Sequence, residues 1–92
     1  MDLRQLGHLL AVVEHRSFSA AARALHTVQS NVSTHVAKLE KELGTVLIDR
    51  HSMQPTAEGL AVVERARRIR TELQAIQDDI ISMRHEVAGE VR

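Results

Sequence analysis

The sequence predicts a mainly α fold in which three short helices precede one long helix. Two observations support this. From Leu3 to Leu43 the apolar residues recur every three or four positions, the spacing of one face of an α-helix. From Leu60 to Ala88 no proline or glycine interrupts the chain, so one helix can extend on the order of 40 Å there, at 1.5 Å per residue.

The composition indicates one small soluble domain. Of its 92 residues, 43% are hydrophobic and 26% are charged. A chain this short buries only about 60–65% of its unfolded surface, so we expect a partner chain. No apolar run approaches the roughly 20 residues of a membrane span, and the start of the chain is no signal peptide. The absence of cysteine excludes disulfides and thiolate metal sites and agrees with a cytoplasmic location.

Three helices are predicted between residues 3 and 43. They are expected at Leu3–His15, at Ser19–Leu25, and from the turn His26–Val28 to Leu43. Residues that suit helix ends stand at the right places: Asp2 and Ser17 as N-caps, and Gly44 after the third helix. Two helices joined by a turn of three to four residues, the second of them amphipathic, form the outline of a helix-turn-helix.

The pattern changes after Gly44. Val46–Ile48 is a short β-prone run, and the polar segment that follows ends at the only proline, Pro55. We expect a small β-hairpin here, called a wing, after which Thr56 caps the fourth helix. The predicted fold class is therefore a winged helix-turn-helix followed by a long coiled-coil linker helix.

The long helix carries an apolar stripe with a 3.5-residue repeat. Its members alternate steps of four and three: Val62, Ala66, Ile69, Leu73, Ile76, Ile80, Met83 and Val87. This repeat predicts a coiled-coil dimerisation contact. Beside the stripe, the column Arg65, Glu72, Asp79 and Glu86 changes from positive to negative, which favours an antiparallel homodimer. Surface pairs contribute only about 0.2–1 kcal/mol each, so they bias the orientation without fixing it.

The charge distribution points to a nucleic acid although the formal net charge is zero. No Asp or Glu lies between Glu14 and Glu40, a stretch that contains Arg16, Arg23 and Lys38. An ordinary solvated face is the alternative explanation. One Phe and no Trp or Tyr leave little to stack on unpaired bases, which argues against single-strand binding.

The start of the third helix carries short hydroxyl and amide side chains. Gln and Asn can bind adenine through two hydrogen bonds in the major groove, and Ser or Thr can bind bases or phosphates. A merely solvated turn would more often carry Glu or Lys, and neither occurs in this helix before Lys38. The candidate DNA-binding residues here are Thr27, Gln29, Ser30, Asn31, Ser33, Thr34, His35 and Lys38.

Several short motifs in order resemble the N-terminal part of the LysR-type transcriptional regulators. The matching segments are Met1–Leu6, Ser17–His26, Gln29–Ser33, Leu39–Gly44, Leu47 with Arg50, and Thr56–Gly59. The resemblance implies a winged helix-turn-helix that binds an interrupted palindrome in double-stranded DNA, paired through antiparallel linker helices. It implies that Gln29 contacts a base and that Ser33, Lys38 and the helix start at Ser17 contact phosphates.

The resemblance also adds candidates outside the third helix. Arg50, at the base of the wing, would reach a phosphate or the neighbouring minor groove, and Thr56 completes the set of candidate DNA-binding residues. Family members continue into a domain that senses a small-molecule inducer. We therefore expect residues 1–58 to form the DNA-binding domain, 59–88 the dimerisation helix, and 89–92 the start of a further domain. Whether the full-length protein is a tetramer is left open.

Several departures from the family pattern together predict fewer phosphate contacts than usual. Ser30 replaces the usual proline, and Thr34 a common basic residue. Val28 replaces a Ser or Thr, so the helix cap is expected to shift to Thr27. The wing is about two residues short, lacks the usual arginines, and has Pro55 where the family has leucine.

Other function classes find little support. Six histidines include no pair at helical spacing, so no metal site and no cofactor are predicted, and His8 and His15 are expected on exposed edges of the first helix. No nucleophile–base set or carboxylate pair indicates an enzyme or a hydrolase fragment. The principal alternative is a coiled-coil dimerisation module whose helix-turn-helix is only structural.

Overall fold

The computed structural model describes residues 1–89, and their side chains as far as residue 85. Four helices make up this part of the chain: α1 Leu3–His15, α2 Phe18–Ala24, α3 Gln29–Leu43 and α4 Ala57–Gly89. The mainly α prediction is confirmed, with α2 shifted by one residue toward the N-terminus. None of the helices in the described residues is both long and apolar enough to cross a membrane.

The predicted N-caps of the first, second and fourth helices all accept a backbone hydrogen bond. Asp2 Oδ1 accepts from the Gln5 N–H at 2.8 Å, and Ser17 Oγ accepts from the Ala20 N–H at 3.0 Å. Thr56 Oγ1 accepts from the Gly59 N–H at 3.0 Å. Each bond satisfies one of the N–H groups that a helix start leaves without a partner. Gly44 ends α3 in the left-handed conformation, with φ of 70°, as the C-cap prediction requires.

The predicted cap of α3 is wrong. The N-cap is Val28, which offers no side-chain hydrogen bond, and not Thr27. Thr27 Oγ1 instead accepts from Asn31 Nδ2 at 3.0 Å. The hydroxyl of Thr27 lies one residue too early to reach the first helical N–H groups, so it binds a side chain.

The predicted β-hairpin wing is also wrong, because residues 1–89 contain no strand. One isolated antiparallel bridge between Ile48 and Pro55 is all that forms. Two backbone hydrogen bonds flank the bridge, from the Asp49 N–H to the Gln54 carbonyl and from the Thr56 N–H to the Leu47 carbonyl, both 2.9 Å. The second arm extends no further because α4 begins at Ala57. The tip is instead a tight turn, in which Asp49 Oδ1 accepts from the N–H of His51 at 2.8 Å. We call residues 45–56 the connecting loop.

The hydrophobic core is built from all four helices and the connecting loop. Its fully buried side chains are Leu9, Val12, Val32, Val36, Leu39, Leu47, Ile48 and Val63. Ala21 and Ala22 are buried as well, and their small side chains let α2 approach its neighbours closely. At Gly59 a Cβ atom would overlap the carbonyl oxygen of Leu47, so only glycine lets α4 start this close to the loop.

The long helix α4 is buried on one side near its start and exposed further along. Val63 and Ala66 are buried in the core described above, whereas the large apolar side chains of α4 between Ile69 and Met83 are exposed. The helix is continuous across residues 58 and 59. The core therefore extends past the predicted boundary at residue 58, as far as Ala66.

Candidate DNA interface

The N-terminal half of α3 presents polar side chains on one face and apolar side chains on the other. Val32 and Val36 are fully buried and hold the helix against α1 and α2. On the opposite face Ser30, Asn31, Thr34 and Lys38 are exposed. Gln29 precedes the buried valines by three and seven residues, on their side of the helix, and is exposed as the first residue of α3. Ser33 is half-buried. The structure thus leaves five of the predicted residues accessible, four of them on one face of α3.

The electrostatics of this surface suit a polyanion. The first turn of α3 contains no acidic residue. Its unpaired N–H groups and the helix dipole supply positive partial charge at the N-terminus, about half an elementary charge. Lys38 adds a full charge two and a half turns further along the same helix.

Asn31 is held in place by the turn before α3. Its Nδ2 donates to Thr27 Oγ1, which fixes the orientation of the amide. Thr27 is thereby half-buried in a local contact, and the amide oxygen of Asn31 is left as an acceptor. The sequence placed both residues in the interface, but not in contact with each other.

His35 faces inward, toward α1. Its ring stacks on the ring of His8, with 4.3 Å between the centroids and a tilt of 39°. His8 Nδ1 lies 2.7 Å from the carbonyl oxygen of Arg4, which can only accept, so this nitrogen carries the proton. The expectation that His8 is exposed is wrong, because it is buried, whereas His15 is exposed as predicted.

The stacked ring of His35 is a poor candidate for a phosphate-binding cation. Burial lowers the pKa of His35 from its ordinary value, and the charges of His8, Arg4 and Lys38 act in the same direction, opposed only by Asp2. Its Nδ1 is buried and makes no hydrogen bond. His35 is therefore neutral near pH 7 and contributes packing. Arg4, which our sequence reasoning did not select, is an exposed cation close enough to act on this ring.

The start of α2 lies beside α3 in the helix-turn-helix. The Ser17 hydroxyl caps α2 and lies 3.0 Å from the Ser19 hydroxyl. Ser17 is half-buried, so its backbone and its neighbour Ser19 form the accessible part of this helix start.

Arg50 is bound within the chain. Its Nη2 donates to Glu40 Oε1 at 2.8 Å, and its Nη1 donates to Glu40 Oε2 at 3.1 Å and to the Ile48 carbonyl at 2.6 Å. The guanidinium also lies 5.2 Å from the centre of the Phe18 ring. These contacts occupy most of its donors, so Arg50 fixes the connecting loop against α2 and α3. The contact of Arg50 with DNA stays a prediction. Only the N–H groups that bind neither Glu40 nor the Ile48 carbonyl are available for it.

Glu40 is a second residue, after Arg4, that the sequence pattern did not single out. Besides Arg50, its Oε2 accepts from the backbone N–H groups of Leu47 at 2.8 Å and Ile48 at 3.3 Å. Burial alone would raise the pKa of Glu40, but the hydrogen bonds from Arg50, Leu47 and Ile48 outweigh it and hold the pKa below its ordinary value. The signal that could have found this site is an acidic residue in the last turns of α3 with an arginine ten residues later.

Thr56 also serves the architecture. Its hydroxyl donates to the Val46 carbonyl at 2.6 Å while accepting from Gly59, so it ties the connecting loop to α4. Its side chain is half-buried, and its role as a DNA contact stays a prediction.

The apolar stripe of α4 divides in two. Ala66 is buried and Val62 is half-buried against the core of the same chain. The next five members are between 37% and 60% exposed: Ile69, Leu73, Ile76, Ile80 and Met83. Val87 lies outside the described side chains. Apolar grooves run along this stripe, and one of about 390 Å³ is lined by Leu6, Leu43 and Ile69 among others.

An ion pair joins the two parts of the molecule. Arg70 Nη2 of α4 lies 3.0 Å from Glu14 Oε2 of α1. The hydrogen bond from Arg70 lowers the pKa of Glu14, against a smaller opposing effect of burial. Within the described residues, no three His, Asp or Glu side chains come close enough together to hold a metal ion.

Comparison with known proteins gives three kinds of match. Residues 3–60 match the family described as bacterial regulatory helix-turn-helix protein, lysR family. The chain is 39% identical over 80 residues to a hydrogen peroxide-inducible genes activator of Pectobacterium carotovorum subsp. carotovorum, covering 85% of the chain and 26% of that protein. It is 34% identical over 92 residues to the HTH-type transcriptional regulator BsdA of Bacillus subtilis (strain 168), covering 97% of the chain and 32% of that protein.

The structural match agrees with the sequence matches. The crystal structure of the BenM DBD in complex with catB site 1 DNA superposes with a TM-score of 0.73 and 34% identity, covering 100% of the chain and 97% of that one. The chain spans about a quarter to a third of the length of the two curated relatives. The prediction of a LysR-type helix-turn-helix is confirmed.

Proposed function

The chain belongs to the LysR family of bacterial regulatory helix-turn-helix proteins, and from this premise we propose that it binds specific sequences in double-stranded DNA with α3 in the major groove. One observation carries the proposal. The polar residues at the start of α3 are exposed together, while the apolar residues of the same helix anchor it in the core. An α-helix fits the major groove, where the pattern of donors and acceptors differs for every base pair.

Within α3 we assign base recognition to Gln29 and phosphate binding to Lys38. Gln29 lies in the first turn, where a recognition helix comes closest to the bases. Lys38 lies more than two turns later, beside the phosphate backbone. Ser30, Asn31 and Thr34 complete the exposed surface, and Ser33 and Ser17 contribute where half-buried groups still reach a phosphate.

We further propose that two copies pair through the exposed part of α4. Five apolar side chains of the stripe lie on the surface of the single chain, and covering them requires another apolar surface. The same stripe on a second copy supplies it, in the antiparallel arrangement that brings the basic start of the charged column to its acidic end. A symmetric dimer recognises an interrupted palindrome, because each protomer presents one α3 to one half-site.

A mechanism for the longer protein follows from the position of α4. Because α4 starts in the core of the helix-turn-helix and continues into the proposed dimer contact, any change in the pairing of the two α4 helices moves both recognition helices. The relatives named above are regulators of transcription, and we propose the same role for the protein that contains this chain, in the cytoplasm where bacterial DNA lies.

Two matched substitutions test the recognition assignment. A binding site is first selected from random double-stranded DNA, and affinity is then measured by fluorescence anisotropy. Gln29→Ala is expected to weaken binding by about 1–3 kcal/mol and to relax the preference at one base pair in each half-site. Lys38→Ala is expected to weaken selected and random DNA equally and to reduce the salt slope by about 0.9 for each phosphate that the lysine neutralises. Lys41→Ala, on the same helix but closer to its end, is the control.

The outcomes separate the alternatives. If the wild-type protein prefers no sequence over random DNA, the helix-turn-helix is only structural and the chain is a dimerisation module. If Gln29→Ala weakens every sequence equally, Gln29 contacts the backbone and the orientation of α3 in the groove is wrong.

A further inference from the structure

Val28 is exposed at the tip of the proposed recognition helix. It is 64% exposed, the largest fraction among the exposed large hydrophobic side chains of the described residues. Of the others that are more than half exposed, Ile76, Ile81 and Met83 lie on or beside the apolar stripe of α4, and Leu60 lies at the start of that helix. Met1 and Leu3 line grooves that reach the stripe, and Val46 lies in the connecting loop. Val28 belongs to no such stripe, so pairing through α4 does not explain its exposure.

The backbone conformation puts Val28 on the surface. The buried positions Val32 and Val36 are four residues apart, and four residues before Val32 the same helical face would continue at Val28. Val28 is instead the N-cap of α3, with φ of −102° and ψ of 155°, so it lies outside the helical repeat. The extended conformation turns this side chain away from the core that the helical spacing would have given it.

Val28 also stands at a position where an apolar residue is unfavourable. The N-cap is normally Ser, Thr, Asp or Asn, whose side chain accepts a hydrogen bond from the start of the helix. Val28 makes no such bond. In the free chain Val28 therefore exposes an aliphatic side chain to water and leaves the start of α3 without a side-chain cap.

We propose that Val28 contacts the C5-methyl group of a thymine in the major groove, next to the base pair that Gln29 contacts. The inference rests on the proposed function and names one further specificity-determining residue for it. The methyl group of thymine is the apolar group that the major groove offers, and aliphatic side chains recognise it by contact. Val28 is flanked in the chain by polar groups that can bind base edges, because Gln29 follows it and the amide of Asn31 donates to Thr27 on its other side.

The contact is mutually favourable because each partner removes apolar surface of the other from water. A serine hydroxyl at this position would cap the helix but would offer the thymine methyl no apolar neighbour. The N-cap valine thus exchanges a stabilising cap for base discrimination.

The test removes the methyl group alone. In a selected site, each thymine of one half-site is replaced in turn by deoxyuridine, which keeps base pairing and phosphates. The wild-type protein is expected to lose affinity about fourfold at one position, the loss that corresponds to one buried methyl group. Val28→Ser is expected to lose a similar factor on the thymine site and to become insensitive to deoxyuridine at that position.

Two controls exclude trivial explanations. Val28→Ser restores a hydroxyl at the N-cap, so its melting temperature should equal or exceed that of the wild type, and a loss of affinity is then not a loss of folding. Val46→Ser changes an exposed valine of the connecting loop, and it should keep the full sensitivity to deoxyuridine.

The results distinguish this inference from the proposed function. If the wild type binds its selected site but no deoxyuridine changes its affinity, or if Val28→Ser keeps the wild-type sensitivity, the assignment of Val28 is overturned while sequence-specific binding stands. If the wild type shows no sequence preference at all, the proposed function fails and the inference fails with it.

Discussion

The helix-turn-helix region up to Ala66 buries its apolar face, whereas the part of α4 beyond Ala66 exposes its apolar face. In the first region Leu9, Leu39 and Leu47 are fully buried within one chain. In the second, Leu73 and Ile76 are 46% and 60% exposed. Both regions are helical and both have a regular apolar face. The first face is covered by elements of the same chain, whereas the second is left exposed, which is the observation behind the proposed dimer.

The two regions are joined by backbone packing and by charge. Gly59 lets α4 begin in contact with the Leu47 carbonyl, and Glu14 binds Arg70 one turn beyond the core. The first of these contacts is buried and the second is exposed. Any coupling between DNA binding and dimerisation passes through this short junction.

The largest effect is expected from a charge in the exposed stripe. Ile76→Asp would bury an unpaired carboxylate between two α4 helices, which costs several kcal/mol of association free energy. Sedimentation velocity over a concentration series should show a dimer for the wild type and a monomer for the variant. Because Ile76 is exposed in the single chain, the core should stay folded, and hydrogen exchange of the α1 amides should be unchanged.

The control for this variant is Thr71→Asp, which adds the same charge at an exposed position on the side of α4 away from the stripe. It should remain dimeric. A wild-type protein that stays monomeric at high micromolar concentration would contradict the proposal for α4, and a variant whose α1 amides lose protection would contradict the independence of the two regions.

An intermediate effect is expected at Glu40, inside the helix-turn-helix region. Glu40→Gln removes the charge that Arg50 and the two loop N–H groups bind, and hydrogen bonds to a charged group are worth about 1.5–3 kcal/mol. The side chain of Glu40 is 14% exposed but that of Arg50 is 45% exposed, so water screens the bonds from Arg50 and the loss should lie toward the lower end of this range. Urea unfolding at pH 7 should show the loss, with the dimerisation constant of the folded protein unchanged.

Glu40 also makes the stability of the helix-turn-helix region depend on pH in the acidic range. The pKa of Glu40 in the folded chain is lowered from its ordinary value of 4.5. Its contribution to the free energy of unfolding is therefore complete above about pH 4.5 and is lost as the pH falls through the lowered pKa. As the pH falls below about 4.5, the free energy of unfolding of Glu40→Gln should decrease less than that of the wild type. Equal stabilities of the two proteins at pH 7 would show that Arg50 and the loop do not depend on this carboxylate.

Local rules were enough to predict most of the fold. The apolar spacing of three and four gave the four helices, and Asp2, Ser17, Gly44 and Thr56 marked their ends because each such residue acts on its own backbone. The wing failed for a reason that is also local. The β-prone run was recognised, but not that α4 begins at Ala57, directly after the bridge, which leaves no residues for a second strand.

The residues of the candidate site could be predicted only where their exposure depends on their own helix and not on contacts with another element. The exposed hydroxyl and amide groups at the start of α3 follow from the helical repeat. The burial of His8 against His35 and the binding of Arg50 by Glu40 depend on contacts between different elements, which the spacing within one helix does not reveal. For the same reason the sequence did not reveal that Arg50, a predicted phosphate contact, is bound to Glu40 of the same chain.

The smallest effect is expected at the junction itself, where Glu14→Gln removes the charge that binds Arg70. Both side chains are about a third or more exposed, and exposed pairs contribute about 0.2–1 kcal/mol. The free energy of unfolding should therefore fall by less than about 1 kcal/mol at low salt. The difference from the wild type should vanish near 1 M salt, where the screening length is about 3 Å. Glu64→Gln, at an exposed position of α4, is the matched control and should change neither value. If the loss at Glu14 persists at high salt, the junction is held by more than charge, and the two regions are less independent than their apolar surfaces indicate.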